Sequence, residues 1–376
     1  MWKVVFRWFG ERHDPVPLEY IRQIPGVEGI VSMLIDVPTG EVWPKERILA
    51  LKKTIEQHGL TFEVVESVNV HEAIKLGLPS KDRYIENYRA TLRHLAEAGI
   101  RVVVYNFMPM FDWVRTDLWK VLPDGSKTMA YDHRVLAGLS PREIVDRVKR
   151  DGHSFALPGW EWERLEEIER LFALYEGMDE ERLFANLVDF LKAVVPLCEE
   201  LGILLAIHPD DPPFSVFGLP RIVTSKSQVL RLLEAVDSPA NGLALCTGSL
   251  GVLEDNDIPD MIRTFGRMGR LHFVHLRNLK RTGDRSFQEV AHPSFCGSLD
   301  MFAIVKALVE IGYNGYMRPD HGRMIWGEEE GRPGYGLYDR ALGIAYLLGL
   351  WEGVERMREE ASPCGERFVV ASSGKP

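Results

Sequence analysis

Four residues of types that bind divalent ions stand at the ends of four successive apolar, strand-like runs: His208, Cys246, His275 and Asp320. Two imidazoles, a thiolate and a carboxylate suffice to hold one divalent ion and leave positions open for a substrate. Each alone carries little, because a cysteine ending an apolar strand is ordinarily buried packing and a lone strand histidine is ordinarily a satisfied core residue. Four on adjacent strands point to a metal site. His272 lies three residues before His275, on the opposite face of the same strand and deeper, and reads as structural. His321 follows Asp320 directly, so a ligand and a proton-transfer group can be aimed at one substrate. Asp210 and Asp211 precede Pro212-Pro213 and read first as the frame of a rigid loop.

Positioning these residues takes a repeated unit of amphipathic helix, glycine and short apolar strand. Gln57-His58-Gly59 precedes Phe62 to Val65, Glu97-Ala98-Gly99 precedes Val102 to Tyr105, Glu200-Leu201-Gly202 precedes Leu204 to Ile207, and Glu310-Ile311-Gly312 precedes Gly315-Tyr316-Met317. The glycine ends a helix in the left-handed conformation. Three- and four-residue spacings of Ile85, Tyr88, Leu92 and Leu95, of Phe302, Val305, Leu308 and Val309, and of Leu187, Phe190, Leu191, Val194 and Cys198 mark helix faces that should pack on a sheet. Pro196 should kink the last of these helices. Strands are predicted at 4–9, 29–34, 62–66, 102–107, 204–208, 243–246, 271–276 and 316–320. Eight apolar runs separated by helices predict an α/β fold, a (β/α)8 TIM barrel, with a doubly wound open sheet as the alternative.

Active sites of such barrels lie at the C-terminal ends of the strands. Those ends supply Arg7 and Trp8, Glu66 and Ser67, Asn106, His208 with Asp210 and Asp211, Cys246, His275 with Arg277 and Asn278, and Asp320 with His321. Arg7, Trp8, Asn106 and Arg277 are the candidates for binding substrate, although an arginine at a barrel rim often serves only as an ion-pair partner. Residues 108–180 are too long for an ordinary link. They read as an insertion after strand four, serving as a lid, a subunit contact or a purely structural elaboration. It carries Phe111, Trp113, Trp119, Tyr131, Trp160 and Trp162, and Pro123-Asp124-Gly125-Ser126 looks like a turn between short strands. One barrel domain is expected over 1–361, with a tail over 362–376.

Composition narrows the chemistry. A net charge of −10 without a Lys/Arg cluster argues against a nucleic-acid partner, and 45% hydrophobic with 27% charged residues is a globular balance. The opening Met-Trp-Lys-Val-Val-Phe-Arg lacks the apolar run of a signal peptide, and the longest apolar stretch, 341–351, is too short to span a bilayer. The four cysteines form no CxxC pair. The expectation is a cytoplasmic homo-oligomer, a dimer or larger, acting on a small molecule. No nucleotide or dinucleotide fingerprint and no Ser-His-Asp motif is present.

The segments Ala206-Ile207-His208-Pro209-Asp210-Asp211-Pro212-Pro213, Leu245-Cys246-Thr247-Gly248, Val274-His275-Leu276-Arg277-Asn278 and Arg318-Pro319-Asp320-His321-Gly322 resemble those of the D-mannonate dehydratase family. The resemblance runs from Phe6-Arg7-Trp8-Phe9-Gly10 to the last helix. It implies a xylose-isomerase-like barrel, bound Mn²⁺ or Fe²⁺, and loss of water from D-mannonate to give 2-dehydro-3-deoxy-D-gluconate in hexuronate (glucuronate) breakdown. It carries the metal ligands onto His208, Cys246, His275 and Asp320 and the proton-transfer residues onto His321 and Tyr335, with Tyr335 favoured as the acid. Softness alone would favour Fe²⁺ or Zn²⁺ over Mn²⁺ at a thiolate. A metal-dependent sugar isomerase or epimerase on the same barrel is the rival reading, and a phosphodiester-cleaving barrel or a sugar-binding protein stands further off.

Overall fold

Runs such as Val102-Val103-Val104-Tyr105 leave no polar face to turn to water, so their strands must be covered on both sides. The computed structural model describes residues 2–136, 138–139, 143 and 165–361. In it the strands are β1 (Lys3–Arg7), β2 (Val27–Ser32), β3 (Thr61–Glu66), β4 (Val102–Tyr105), β5 (Asp117–Val121), β6 (Lys127–Tyr131), β7 (Leu204–Ile207), β8 (Asn241–Cys246), β9 (Leu271–His275), β10 (Leu279–Gly283), β11 (Ser286–Glu289) and β12 (Tyr316–Arg318). β1, β2, β3, β4, β7, β8, β9 and β12 form a closed, all-parallel barrel, each paired to the next in that order and β12 back to β1. These are the eight predicted strands, so the open-sheet alternative falls away.

Strand parity divides the core in two. Val5, Val31, Val64, Val102, Val104, Ala206, Ala244, Phe273 and Tyr316 make a small cluster of their own, the barrel interior. The alternate residues, among them Val4, Phe6, Val65, Val103, Leu205, Leu245 and Val274, join the larger core between strands and helices. Seven of these interior positions continue, two residues further along the strand, into a polar residue at the mouth: Arg7, Glu66, Asn106, His208, Cys246, His275 and Arg318.

The helices bury the expected stripes. Ile85, Tyr88, Leu92 and Leu95 are buried on helix Lys81–Glu97, and Leu187, Phe190, Leu191, Val194 and Cys198 on helix Glu180–Leu201. That helix continues through Pro196 to a left-handed Gly202, so the proline does not end it. On helix Met301–Glu310 the buried stripe is Met301, Ile304, Val305, Ala307, Leu308 and Val309. Phe302, expected on that face, is 37% exposed, because the stripe lies one residue round the helix from it.

After β4 the chain forms the hairpin β5–β6, turning at Pro123-Asp124-Gly125-Ser126, where Leu122 N donates to Ser126 O at 2.8 Å. A second hairpin, β10–β11, extends it into a four-stranded antiparallel sheet in the order β10-β11-β6-β5. This second hairpin is not among the strands predicted from the sequence. Trp160 and Trp162 of the insertion, and the tail 362–376, lie outside the described residues. No helix among the described residues is long and apolar enough to cross a membrane.

Candidate active site

A cavity of about 620 Å³ opens at the C-terminal mouth of the barrel. Its walls include Arg7, Phe9, Glu66, Asn106, Trp113, His208, Asp320, His321, Arg332 and Tyr335. Beneath it His208, Cys246 and His275 bring one donor atom each to within 4.8 Å of the others, and both His275 and Cys246 are fully buried.

The donor chemistry of this triad fits a divalent ion. His208 Nδ1 lies 2.7 Å from the Pro209 carbonyl, which can only accept. Nδ1 therefore carries the proton and Nε2 is left as a free lone pair. His275 Nε2 is buried and makes no hydrogen bond, although Glu66 Oε2 stands 3.5 Å away. Cys246 Sγ accepts from Ser249 N at 3.4 Å and from Ser249 Oγ at 3.2 Å, contacts that fix the sulfur beside the two imidazoles. Asp320 stands beside the triad, its Oδ2 3.3 Å from Cys246 Sγ. Its carboxylate is held by Arg277 Nε at 2.6 Å and Arg318 Nη1 at 2.8 Å. Burial alone would raise its pKa, but Arg318, His321 and Arg277 hold it well below the usual carboxylate range. Asp320 takes φ +54°, a left-handed conformation that aspartate tolerates better than most residues.

His321 and Tyr335 meet over this floor. His321 Nε2 is 3.0 Å from Tyr335 Oη, and its Nδ1 is 3.4 Å from Glu289 Oε1. Trp113 from the insertion lies against the imidazole, with ring centroids 5.8 Å apart. Tyr335 packs edge-on against Phe9 at 4.9 Å. Burial raises the phenol's pKa, opposed by Arg318, so Tyr335 holds its proton. Gly334 sets the tyrosine's approach: at φ +80°, a Cβ there would lie 2.4 Å from Met129 Cε.

Two of the expected substrate-binding residues stand elsewhere. Trp8 is 2% exposed, and its Nε1 donates to Val16 O at 3.1 Å. It has the parity of Val4 and Phe6, which point away from the barrel interior. Arg277 has no exposed surface, and its Nη2 donates to Asp211 Oδ2 at 2.7 Å while Nη1 reaches both oxygens of Glu289. Gly248 makes room for it, since a Cβ there would lie 2.3 Å from Arg277 Nε. Arg7 and Asn106 do line the cavity. His272 is buried with Nδ1 2.6 Å from Leu205 O, on the outer face.

Arg318, Arg332, Asp211 and Glu289, none of them a candidate site residue from sequence, complete the surroundings. Arg318 bridges Asp320 and Glu66, and Arg332 lines the cavity with its guanidinium 4.4 Å from the Phe9 ring centroid. Asp211 and Glu289 form a fully buried quartet with Arg115 and Arg277: Arg115 Nη1 donates to Asp211 Oδ1 at 2.8 Å and Nη2 to Glu289 Oε1 at 2.7 Å. Breaking one partner of such a cluster strands a buried charge. Arg277→Met is therefore expected to destabilise the fold by about 3–5 kcal/mol, read as a lower urea midpoint.

The quartet also sets a pH dependence. Burial would raise the Glu289 pKa, but Arg277, Arg115 and His321 bring it down to about 2. A carboxyl whose pKa is lower folded than unfolded contributes stability that is complete above the unfolded value and lost as pH falls toward the folded one. Unfolding free energy should therefore decline as pH falls from about 4.5 toward 2, and Glu289→Gln should make that decline shallower in denaturation curves taken across the range.

The closed, eight-stranded parallel barrel defines the class by its fold: a xylose-isomerase-like TIM barrel. A xylose isomerase domain protein from Planctomyces limnophilus shares that fold at TM-score 0.51 and 14% identity, over 95% of this chain and 98% of that one. Residues 2–361 match the model of the D-mannonate dehydratase (UxuA) family. The mannonate dehydratase of Thermotoga neapolitana is 64% identical over 357 residues, 95% of this chain and 99% of that protein. The crystal structure of mannonate dehydratase from Streptococcus suis serotype 2 matches at TM-score 0.86 and 46% identity, covering 95% of this chain and 96% of that one. The chain belongs to the D-mannonate dehydratase family, and with it to the hydro-lyases.

Proposed function

We propose that this protein removes water from D-mannonate to give 2-dehydro-3-deoxy-D-gluconate, as a step of glucuronate breakdown, with Mn²⁺ or Fe²⁺ bound. The observation that carries the reading is the His321–Tyr335 pair, 3.0 Å apart, beside Asp320 in the cavity above the His208, Cys246 and His275 triad. His208, Cys246, His275 and Asp320 would hold the ion. When bound, it supplies Lewis acidity toward an α-hydroxy acid and counter-charge for the anion that forms as the C2 proton leaves.

The chain's own residues do the rest. His321 Nε2 accepts the C2 proton, and the C2–H electron pair becomes the C2–C3 double bond as the C3 hydroxyl departs. Tyr335 Oη gives that hydroxyl its proton, and the product is water and an enol. The enol becomes the 2-keto acid when its hydroxyl loses a proton and C3 gains one. The 3.0 Å contact lets the proton held by His321 return to the tyrosine. Arg7, Asn106 and Arg332 face the cavity and offer donors to the substrate's carboxylate and hydroxyls.

The rival reading, isomerisation on the same barrel, requires no leaving hydroxyl and no acid to protonate one. A panel of aldoses given to the Mn²⁺-loaded protein should remain unconverted while D-mannonate is consumed. Aldose-to-ketose conversion with mannonate untouched would replace dehydration with isomerisation.

A further inference from the structure

We infer that Glu289 is a positioning residue for His321, fixing its ring orientation and placing its proton on Nδ1, so that Nε2 faces the substrate as the base. The inference rests on the dehydratase reading above for what the base does, but not for where the proton sits.

Glu289 ends β11, in the hairpin not predicted from the sequence, and its side chain has no exposed surface. It is a carboxylate on the Nδ1 side of His321, at 3.4 Å, while Tyr335 Oη lies 3.0 Å from Nε2 and Asp320 Oδ1 stands further off, at 3.8 Å. A carboxylate without a proton only accepts, so Nδ1 must be the donor toward it. In the neutral ring Nε2 then carries the lone pair. It accepts from the Tyr335 hydroxyl at rest and from C2–H when substrate lies between them.

Arg115 and Arg277 keep the carboxylate ionised and clamped, donating from two directions while Asp211 balances the second arginine. That clamp ties the base to three parts of the chain. Arg115 comes from the insertion, Asp211 from the loop after β7 and Arg277 from the loop after β9. The antiparallel sheet that joins the hairpins β5–β6 and β10–β11 thus has a use at the active site: it carries Glu289 to the far side of the imidazole.

The amide of Glu289→Gln keeps the shape, but its nitrogen cannot accept from either arginine, and the lost charge leaves the quartet positive. Glu289→Gln combined with Arg115→Met removes one charge of each sign and keeps the cluster neutral, so it serves where the single variant does not fold. In either variant, folded and carrying the wild-type amount of metal, kcat for D-mannonate should fall about 10- to 100-fold with KM within about threefold, the range that loss of an orienting partner typically costs. A kcat within twofold of wild type would overturn the inference.

The second readout needs no turnover. In ¹⁵N-histidine-labelled wild-type protein loaded with diamagnetic Zn²⁺, the His321 signal, identified by its loss in His321→Asn, should report the proton on Nδ1. A proton on Nε2 would overturn the assignment of Glu289. A protein that shows the Nδ1 form yet leaves mannonate untouched would retain the positioning role while removing the dehydratase reading.

Discussion

Replacing His321 by asparagine should lower kcat for D-mannonate by about 10²- to 10⁴-fold, the usual loss when a positioned acid–base group is removed. The bound metal should be retained. The imidazole is not among the three residues whose donor atoms cluster within 4.8 Å. Its contacts include Tyr335, Glu289 and the Trp113 ring, and its Nε2 lies 3.8 Å from Asp320 Oδ1. Asparagine fills part of the same space, but it cannot take a proton at neutral pH. Tyr335→Phe should act in the same direction, since it removes only the hydroxyl that meets Nε2. Metal analysis beside steady-state kinetics checks both: a large fall in kcat with unchanged metal content is the expected pair of results. Loss of metal from His321→Asn would make the histidine part of the metal shell instead.

The second large effect concerns the triad. Cys246→Ala should abolish turnover by weakening metal binding far more than the roughly 10- to 100-fold that loss of an outer hydrogen-bond partner costs. The alanine removes the sulfur that Ser249 meets through two contacts, and with it the one soft donor of the set. Cys246→Ser keeps a donor but hardens it, so its residual binding should shift away from Fe²⁺ and Zn²⁺ relative to Mn²⁺. Competition between these ions, read by metal content after dialysis, checks the order. Unchanged metal content in Cys246→Ala would remove the cysteine from the ligand set.

His321 and Cys246 could be placed from the sequence, because strand ends in a barrel converge whatever their separation along the chain, whereas Tyr335 enters only through the family resemblance. The eight strands were legible for the same reason, since apolar runs of four to six residues between amphipathic helices have few other uses. Parity sets His272 on the outer face of its strand, and it sets Trp8 there too. Counting by twos from Val5 reaches Arg7 and leaves Trp8 outside, in the core where its indole meets Val16 O. The same count from Val64 and Tyr316 reaches Glu66 and Arg318, both walls of the cavity.

Other features left weaker traces. The strand pair β10–β11 is polar along Lys280, Arg281 and Thr282, with no apolar stripe to mark it. Only the Gly283-Asp284 turn and the lone Phe287 hint at a hairpin there. Glu289 reads as an ordinary solvated charge until Arg115, 174 residues earlier, is seen to donate to it. Arg277 sits at a strand end like a substrate ligand, and only the three carboxylates around it, with Gly248 giving it room, reveal a buried clamp. Burial of charge is a tertiary property, and partners so distant in the chain leave no local periodicity to read.

The central claim is that C2–H and C3–OH of mannonate are broken by one metal-bearing site. Protein stripped by chelation and reloaded with Mn²⁺, incubated with D-mannonate in D₂O and followed by ¹H NMR, tests it most directly. The predicted outcome is 2-dehydro-3-deoxy-D-gluconate carrying one deuterium at C3, formed by the reloaded protein and not by the stripped one. Mannonate that stays intact in both samples, or a product that retains its C2 hydrogen, would contradict it.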